Sequence, residues 1–318
     1  MTWPRTSVAE VSDWCRRHLG SPVDNVLFET GFASQVLGLR LADGQEVVVK
    51  VRAFSPRIPA AVMVQRQLCC AGFPCPRPLT DLMPLGEQWI SAESLVLGGA
   101  PLRADHAEAP ELYAAAVAEL IRLAPAPDTL PTLLPPPDHA HWNHAETGVW
   151  PRRHAVGDVR DTDLNQESDP VWLRQTATLV RLRLARFKGP DVVGHADWWT
   201  QNLRWIGRRL HVVHDWDSVT AQPEAILAGE AAYMFASTEF ELDGCAPGAS
   251  VEVTQRFLVA YEQARGRPWT ADEREVAWAA GLWVAAFRAR VSRLEDRGEG
   301  FADLVRAEAP ERLQRADA

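Results

Sequence analysis

The segment GHADWWTQNLRW, residues 194–205, contains His195, Asp197 and Asn202 within eight positions. Two tryptophans separate the acid from the amide, and HDWD follows at 214–217. Acidic and amide side chains beside apolar rings are costly to bury unless a charged partner meets them. The segment therefore predicts a site that binds a charged ligand.

A β-hairpin is predicted directly after this segment. In LRWIGRRLHVV, two short apolar runs flank residues 207–209, a pattern typical of two strands joined by a tight turn. If residues 208–209 form the turn, Asn202 faces Asp215 across the strands. Asp217 then points to the same side, provided that the strand continues. An amide oxygen and a carboxylate at that separation suit a single Mg²⁺ ion.

Asp197 precedes the amide by five residues, so its carboxylate can lie beside the metal site without binding the metal. There it would act as a general base toward a hydroxyl group. His195 alternates with Asp197 along an extended segment and would brace the loop by hydrogen bonding.

Lys50 stands out because only two of the 33 basic residues are lysines. It ends the run VVVK in a predicted strand, where a long cation is otherwise unfavourable. A lysine neutralises phosphate oxygens as a point charge. A lysine, two metal-binding groups and a carboxylate near an acceptor together indicate phosphoryl transfer from a nucleotide.

Turn residues and apolar periodicity predict an α+β protein with two lobes. Ser7 and Glu10 form a capping box for a first helix, and an antiparallel meander of three strands follows. We expect a small sheet-rich N-lobe at 1–93 and a larger, mainly helical C-lobe at 94–318, with a Pro-rich insertion at 125–170. Further predicted elements are a strand at 88–96 and helices at 60–71, 111–123, 171–187, 223–240, 249–264, 270–295 and 301–315.

Composition excludes several classes of function. The net charge of −9 argues against a nucleic-acid partner. The whole acidic excess lies after residue 95, where it either attracts a cationic or metal-bound ligand or, as is commoner, only keeps the surface soluble. The most apolar run, Val276–Phe287, is too short to span a membrane. The N-terminus has no signal-peptide pattern, and the five cysteines lack paired metal spacing. We therefore expect a cytoplasmic protein with reduced thiols, without a membrane partner or an evident protein partner.

The motifs, in this order, resemble the aminoglycoside phosphotransferase family, whose fold is similar to that of protein kinases. GHADWWTQN matches the family's H-G-D-x-x-x-x-N catalytic loop with Ala196 in the glycine position. VVHDWDS matches the metal-binding segment, and VVVK matches the strand lysine. TGFAS occupies the place of the nucleotide-covering loop, and AESLVLGG resembles the hinge that contacts adenine. The resemblance extends over nearly the whole chain and implies a bilobal protein-kinase-like fold.

The resemblance implies a kinase that uses ATP and Mg²⁺, with GTP as an alternative nucleotide, to phosphorylate a hydroxyl group of a small molecule. The acceptor would be an antibiotic such as an aminoglycoside, or a sugar or amino-alcohol metabolite. The implied roles are Asp197 as the catalytic carboxylate, Asn202 and Asp215 as metal ligands, Lys50, Gly31 and Ser34 at the phosphates, Glu93 to Leu95 at the adenine, and His195 and Asp217 in support.

Three departures from the family pattern concern the nucleotide and acceptor sides. Residues 54–72 contain no acid that could pair with the strand lysine, so either Gln65 or Gln67 substitutes, another side chain reaches in, or the nucleotide binds weakly. The nucleotide loop contains only one glycine, Gly31. The usual Leu-His-Pro after the catalytic acid is replaced by residues 198–200, WWT.

The acceptor pocket is open to more than one interpretation. Trp198 and Trp199 either pack in the core or line the pocket. The acids of the insertion, Asp158, Asp161 and Asp163, either attract a cationic acceptor or belong to a solvated surface. The spacing of His139, His141 and His144 could hold zinc, although no cysteine lies nearby.

Two alternative functions follow from the same residues. A catalytically weak or inactive kinase-like binding protein would explain the missing helix acid and the scarce glycines. A His-Asp metal phosphohydrolase would use His195, His214, Asp215 and Asp217 as ligands, but such ligands belong on helices rather than beside a hairpin.

Overall fold

The computed structural model of the 318-residue chain describes residues 5–31, 34–152, 163–165, 170–237, 248–294 and 300–318. Every structural statement below concerns these residues.

A five-stranded antiparallel sheet forms the N-lobe, with the strand order β1-β2-β3-β5-β4. The predicted capping box is confirmed, because the Ser7 hydroxyl accepts from the Glu10 N–H and the Glu10 carboxylate accepts from the Ser7 N–H. The short edge strand β4 was not predicted, since three residues with a central proline carry no alternating pattern. The elements are α1 (Val8–His18), β1 (Val23–Thr30), β2 (Gln35–Leu41), β3 (Glu46–Arg52), α2 (Ile58–Cys70), β4 (Met83–Leu85) and β5 (Gln88–Ser94).

Helices and two small two-stranded sheets form the remainder of the described chain. The predicted helix at 223–240 is shorter in the structure: it ends at Met234, and residues 238–240 lie outside the described part. The elements are α3 (Ala109–Leu123), α4 (Val171–Arg186), β6 (Asp191–His195), β7 (Leu203–Ile206), β8 (Arg209–Val213), β9 (Val219–Pro223), α5 (Glu224–Met234), α6 (Val251–Ala264), α7 (Ala271–Leu294) and α8 (Gly300–Ala316).

The core of the C-lobe depends on a close crossing of α5 and α7. A Cβ atom at Gly229 of α5 would lie 2.0 Å from the carbonyl oxygen of Ala277 in α7, so only glycine fits there. The crossing anchors α5, which follows directly on β9, the partner strand of β6. The end of β6 thereby has a rigid support. None of the described helices is long and apolar enough to cross a membrane.

The hairpin of β7 and β8 is confirmed, but its predicted register is wrong by one residue. Ile206 pairs with Arg209, so the turn is Gly207-Arg208 rather than Arg208-Arg209. Gly207 takes a φ of +59°, which a tight hairpin turn needs and which arginine resists. As a result, the carbonyl oxygen of Asn202 accepts from the N–H of His214, and Asn202 does not face Asp215 directly.

The bilobal fold expected from the sequence is therefore confirmed: a small antiparallel sheet with helices is followed by a larger, mainly helical lobe. The predicted boundary at residues 93 and 94 falls at the end of β5, where the chain leaves the sheet.

Candidate active site

The loop after β6 is held together by its own hydrogen bonds. The side-chain amide of Asn202 donates to the carbonyl oxygen of Asp197 at 2.9 Å, and the N–H of Trp199 donates to the same oxygen at 3.0 Å. The N–H of Asp197 donates to Nδ1 of His195 at 3.2 Å. These bonds fix the backbone of Asp197, whose half-buried side chain is left free of them.

His195 braces the loop as a neutral ring. Because Nδ1 accepts a hydrogen bond, the proton must be on Nε2, which donates to the carbonyl oxygen of His214 at 3.2 Å. Burial lowers the pKa of His195, against the opposing effect of Asp197. The ring lies edge-on to Trp216 at a centroid distance of 5.5 Å. His195 thus ties the catalytic loop to the end of β8 and has no ring nitrogen left for a metal.

Asp215 has an unusual backbone conformation, with φ 59° and ψ 56°. The strand β8 has already ended at Val213, and a short 3-10 turn follows at Trp216–Ser218. The condition under which Asp217 would share a face with Asp215, a strand that continues to residue 217, is therefore not met. Aspartate tolerates the left-handed conformation better than most residues, and such strained positions are concentrated at functional sites.

Asp215 is an exposed residue whose carboxylate lies in the field of other charged groups. Partial removal from water raises its pKa; Asp217 and Asp197 raise it further, against the opposing effect of Lys50. The left-handed turn therefore brings Asp215 near Asp197 and Lys50. The cross-strand pairing with Asn202 that the sequence predicted plays no part in this.

Lys50 finds its partner on a neighbouring strand rather than on α2. Its Nζ lies 3.4 Å from Oε1 of Glu93, and both residues are buried. The helix contributes Gln65, whose Nε2 donates at 2.9 Å to Oε2 of Glu93 and at 2.9 Å to the carbonyl oxygen of Pro76. Of the open alternatives, the structure matches the second: another acid, Glu93, reaches the lysine, and Gln65 binds that acid instead of replacing it.

The pKa of Lys50 is raised although burial opposes this, because Glu93, Asp217 and Asp215 all favour the charged form. The lysine therefore stays protonated and can meet an anionic ligand.

A second buried cation, Arg52, holds Asp217. The Arg52 guanidinium forms an ion pair with Asp217 and also donates to the hydroxyl of Ser91. Burial works against ionisation of Asp217, but Arg52 and Lys50 hold its pKa low. Arg52 was not predicted as a site residue, although alternation along KVR places it on the same face of β3 as Lys50.

The adenine side differs in part from the expectation. The side chain of Glu93 is used by Lys50, and the N–H of Leu95 donates to the carbonyl oxygen of Glu46 at 3.2 Å. The implied hinge contacts are backbone contacts, so the ion pair of the Glu93 side chain does not compete with them, whereas the N–H of Leu95 is already bonded within the protein.

The loop between β1 and β2 is tight. A Cβ atom on Gly31, which has a φ of +124°, would lie 1.9 Å from the carbonyl oxygen of Ser34. Glycine is therefore required at this point, while Phe32 and Ala33 between them lie outside the described residues.

The residues predicted for the acceptor pocket have different locations. Trp198 is 0% exposed, and its ring N–H donates to the carbonyl oxygen of Tyr113, so it is a packing residue and its possible pocket role is corrected. Trp199 is half-buried at the start of the same loop. Asp158 and Asp161 lie outside the described residues.

The histidines of the insertion make hydrogen bonds with the protein backbone. His139 Nε2 lies 3.2 Å from the carbonyl oxygen of Ala196, and His144 Nε2 lies 3.1 Å from that of Val149. Within the described ranges, no three or more His, Cys, Asp or Glu side chains form a group that could hold a metal.

Asn202 and Asp215 nevertheless suit a Mg²⁺ ion that is also bound by phosphate. The side-chain nitrogen of Asn202 donates to the carbonyl oxygen of Asp197 within the loop. The side-chain oxygen of Asn202 therefore remains available as a metal ligand. Removal from water is the main cause of the raised pKa of Asp215, and a cation bound to the carboxylate would offset it. Mg²⁺ prefers oxygen ligands and usually takes only one or two carboxylates together with phosphates.

Comparison with known proteins identifies the family to which the chain belongs. Residues 26–226, more than half of the chain, match the model of the APH phosphotransferase enzyme family. Sequence comparison with curated proteins gave no match.

Several solved structures share the fold over almost the whole chain. The macrolide 2'-phosphotransferase MphH from Brachybacterium faecium is 16% identical with a TM-score of 0.53, covering 94% of this chain and 97% of that chain. An amicoumacin kinase in complex with AMP-PNP, Ca²⁺ and Ami is 11% identical with a TM-score of 0.60, covering 90% and 88%. A thermostable mutant of aminoglycoside phosphotransferase APH(4)-Ia, in a ternary complex with AMP-PNP and hygromycin B, is 14% identical with a TM-score of 0.61, covering 96% and 98%. At such low identity these likenesses show a common fold.

Proposed function

The chain belongs to the phosphotransferase enzyme family, and from this premise we propose that it is an ATP- and Mg²⁺-dependent kinase of a hydroxylated small molecule. One observation carries the proposal: Lys50, kept charged by Glu93, lies in the same electrostatic field as Asp215 and Asp197. A lysine for phosphates, an oxygen site for the metal and a free carboxylate are the parts that phosphoryl transfer requires. In this proposal residues 1–93 hold the nucleotide and residues 94–318 hold the acceptor.

The acceptor is proposed to be a cationic, hydroxylated molecule such as an aminoglycoside. Residues 96–318 contain 33 acidic and 24 basic residues, a balance that attracts cations. Two of the similar structures contain hygromycin B or Ami, which supports an antibiotic as acceptor. A sugar or amino-alcohol metabolite is the alternative, since one fold serves many acceptors.

Each catalytic role follows from the position of the residue. Lys50 binds phosphate oxygens of the nucleotide, and Asn202 and Asp215 would hold the metal. Bound there, Mg²⁺ would neutralise charge on the phosphates. Asp197, whose backbone is fixed by Asn202 and His195, orients the acceptor hydroxyl and accepts its proton.

The transfer step conserves atoms and charge. The hydroxyl oxygen of the acceptor forms a bond to the γ-phosphorus of ATP, and the bond from that phosphorus to the β,γ-bridging oxygen breaks. The bonding electron pair stays on ADP, and the hydroxyl proton passes to the carboxylate of Asp197.

The nucleotide site is tested first by thermal melting with ATP or GTP, with and without Mg²⁺, for wild type and Asp215→Asn. Ligand at a hundred times its Kd stabilises the fold by about 2.7 kcal/mol, a shift of several degrees. We expect a Mg²⁺-dependent shift in wild type that Asp215→Asn loses. Absence of a shift at millimolar ATP or GTP would refute the proposal.

Turnover is tested by ADP release in the presence of hygromycin B and other hydroxylated acceptors. We expect Asp197→Asn to lower kcat by about 10²- to 10⁴-fold, because it removes the proton acceptor. Its melting temperature with Mg²⁺ and ATP should stay that of wild type. If wild type binds ATP but shows no ATP hydrolysis or phosphotransfer, and Asp197→Asn leaves ligand binding unchanged, the protein is a kinase-like binding protein instead.

A further inference from the structure

Arg57 spans the two lobes. It lies between β3 and α2 and directly precedes the first residue of α2, but its side chain makes no hydrogen bond that caps the helix. Instead, its Nη1 donates to the carbonyl oxygen of Pro135 in the insertion at 3.2 Å. The side chain therefore extends from the N-lobe to the Pro-rich segment of the C-lobe.

The segment that Arg57 reaches packs on the catalytic loop. Four residues after Pro135, the ring Nε2 of His139 lies 3.2 Å from the carbonyl oxygen of Ala196. Ala196 directly precedes Asp197. Arg57 is thus held next to the part of the C-lobe that carries the proposed catalytic acid.

Part of the guanidinium is unused. Its Nε is buried and has no acceptor among the described residues. No carboxylate in the described ranges forms an ion pair with Arg57, although four of them act on it electrostatically. A buried donor without a partner costs about 1–3 kcal/mol, so its retention calls for an explanation. The four carboxylates belong to Asp217, Asp138, Asp215 and Asp197.

Phosphate is the ligand that suits this arrangement. The planar guanidinium offers paired N–H donors that match phosphate oxygens. During phosphoryl transfer, negative charge is spread over the oxygens of the transferred group, and a positioned arginine stabilises it. The transferred group has to lie between the proposed acceptor base Asp197 and the proposed metal ligand Asp215, and both act on Arg57.

We propose that Arg57 is a catalytic residue whose guanidinium binds the γ-phosphoryl group of ATP during its transfer. This inference rests on the proposed function, because it assigns a further residue to the same site. Lys50 and Arg57 then contact different phosphates of ATP. The lysine contacts the α- and β-phosphates, which remain in ADP, and the arginine contacts the γ-phosphate, which is transferred.

Calorimetric titration with Mg²⁺-AMP-PNP and with Mg²⁺-ADP separates these contacts. In Arg57→Gln we expect the Kd of AMP-PNP to rise about tenfold, since a charged pair to phosphate is lost. The Kd of ADP should stay within about twofold, because ADP lacks the γ-phosphate. The matched control is Arg66→Gln, on the exposed side of α2, where the arginine pairs with Asp81. It should change neither constant.

Hydrolysis of ATP to ADP and phosphate, with water in place of the acceptor, gives an independent measure. We expect the kcat of ATP hydrolysis to fall about 100-fold in Arg57→Gln. In Arg57→Lys we expect a fall of about tenfold, because lysine keeps the positive charge but lacks the paired N–H donors of the planar guanidinium. Melting of the nucleotide-free variants checks that they fold.

The possible results are distinguishable. If AMP-PNP and ADP lose affinity equally, or if neither does, Arg57 only connects the lobes and the inference is overturned. If wild type binds neither nucleotide, the proposed function fails, and the role of Arg57 fails with it. If Arg57→Gln loses fold stability, Arg57→Lys decides, since a phosphate contact predicts a selective loss for AMP-PNP there too.

Discussion

Two buried glutamates, one in each lobe, have opposite surroundings. Glu93 of β5 is 8% exposed and Glu230 of α5 is 1% exposed. Each is near a glutamine: Gln65 donates to Glu93 at 2.9 Å, and Gln222 lies 3.4 Å from Oε1 of Glu230. Only Glu93 also faces a cation, Lys50.

The carboxyl group of Glu230 is in an unfavourable place for a charge. Its Oε2 is buried without a hydrogen-bond partner among the described residues. Burial raises the pKa of Glu230 well above its ordinary value, and the hydrogen bond from Gln222 only partly opposes this. Burial therefore shifts Glu230 toward the protonated form in the folded protein.

The difference shows how burial alone does not decide the state of an acid. In the N-lobe, a lysine and a good hydrogen-bond donor accompany the carboxylate, so the ion pair persists within the proposed nucleotide site. In the C-lobe, burial favours the protonated carboxyl group, which is part of the packing: Gln222, which donates to it, also accepts from the Trp142 ring N–H of the insertion.

The largest effect is expected from removing the charge of Glu93. Glu93→Gln removes the ion-pair partner of the buried Lys50, and breaking a buried pair in this way costs about 3–5 kcal/mol. The free energy of unfolding, measured with urea, should fall by about 3 kcal/mol. The control is Glu46→Gln in the same sheet, whose pair with Arg40 is exposed and worth about 0.5 kcal/mol. Equal losses in both variants would mean that Glu93 and Lys50 are not coupled.

Glu230→Gln should act in the opposite direction and depend on pH. The folded pKa of Glu230 lies above the unfolded value, so wild-type stability is complete below about pH 4.3 and declines as the pH rises toward the folded pKa. The decline is about 1.4 kcal/mol per pH unit. Glu230→Gln removes this contribution and should be more stable than wild type at pH 8, but not at pH 4. The free energy of unfolding of wild type and of Glu230→Gln is measured with urea at each pH. A difference between the two proteins that stays the same from pH 4 to pH 8 would contradict the raised pKa of Glu230.

The smallest effects are expected from the two glutamines. Gln65→Met removes a hydrogen bond to an ionised acid and should cost about 2 kcal/mol, whereas Gln222→Met removes one to a neutral acid and should cost about 1 kcal/mol. Gln65→Met should also reduce the melting shift with Mg²⁺ and ATP, because Glu93 would hold Lys50 less firmly. A larger loss for Gln222→Met would contradict the different charge states of the two acids.

Much of the fold could be predicted from the sequence because the patterns that indicate its helices and strands involve residues close together in the chain. The capping box of Ser7 and Glu10, the alternation that ends at Lys50, and the helical periodicities each depend on neighbouring residues. The order of the motifs from Lys50 through Asp197 to Asp215 was also sufficient to identify the family, which the match over residues 26–226 bears out.

The contacts that arrange the site required the tertiary structure. The pairing of Val48 with Glu93 places this acid diagonally from Lys50, although the two residues are 43 positions apart in the chain. The one-residue error in the hairpin register arose because the turn is decided by a left-handed glycine at 207 rather than by the symmetry of the flanking apolar runs.

By itself, then, the sequence determined the family and the order of its motifs, because spacing along a strand or loop is a property of the chain. Only the tertiary structure decided the side-chain contacts of the site. These are the ion pairs of Glu93 with Lys50 and of Arg52 with Asp217, and the hydrogen bond from Arg57 to the carbonyl oxygen of Pro135. These contacts join segments that are distant in the chain, and their energies depend on burial and register, which no local pattern encodes.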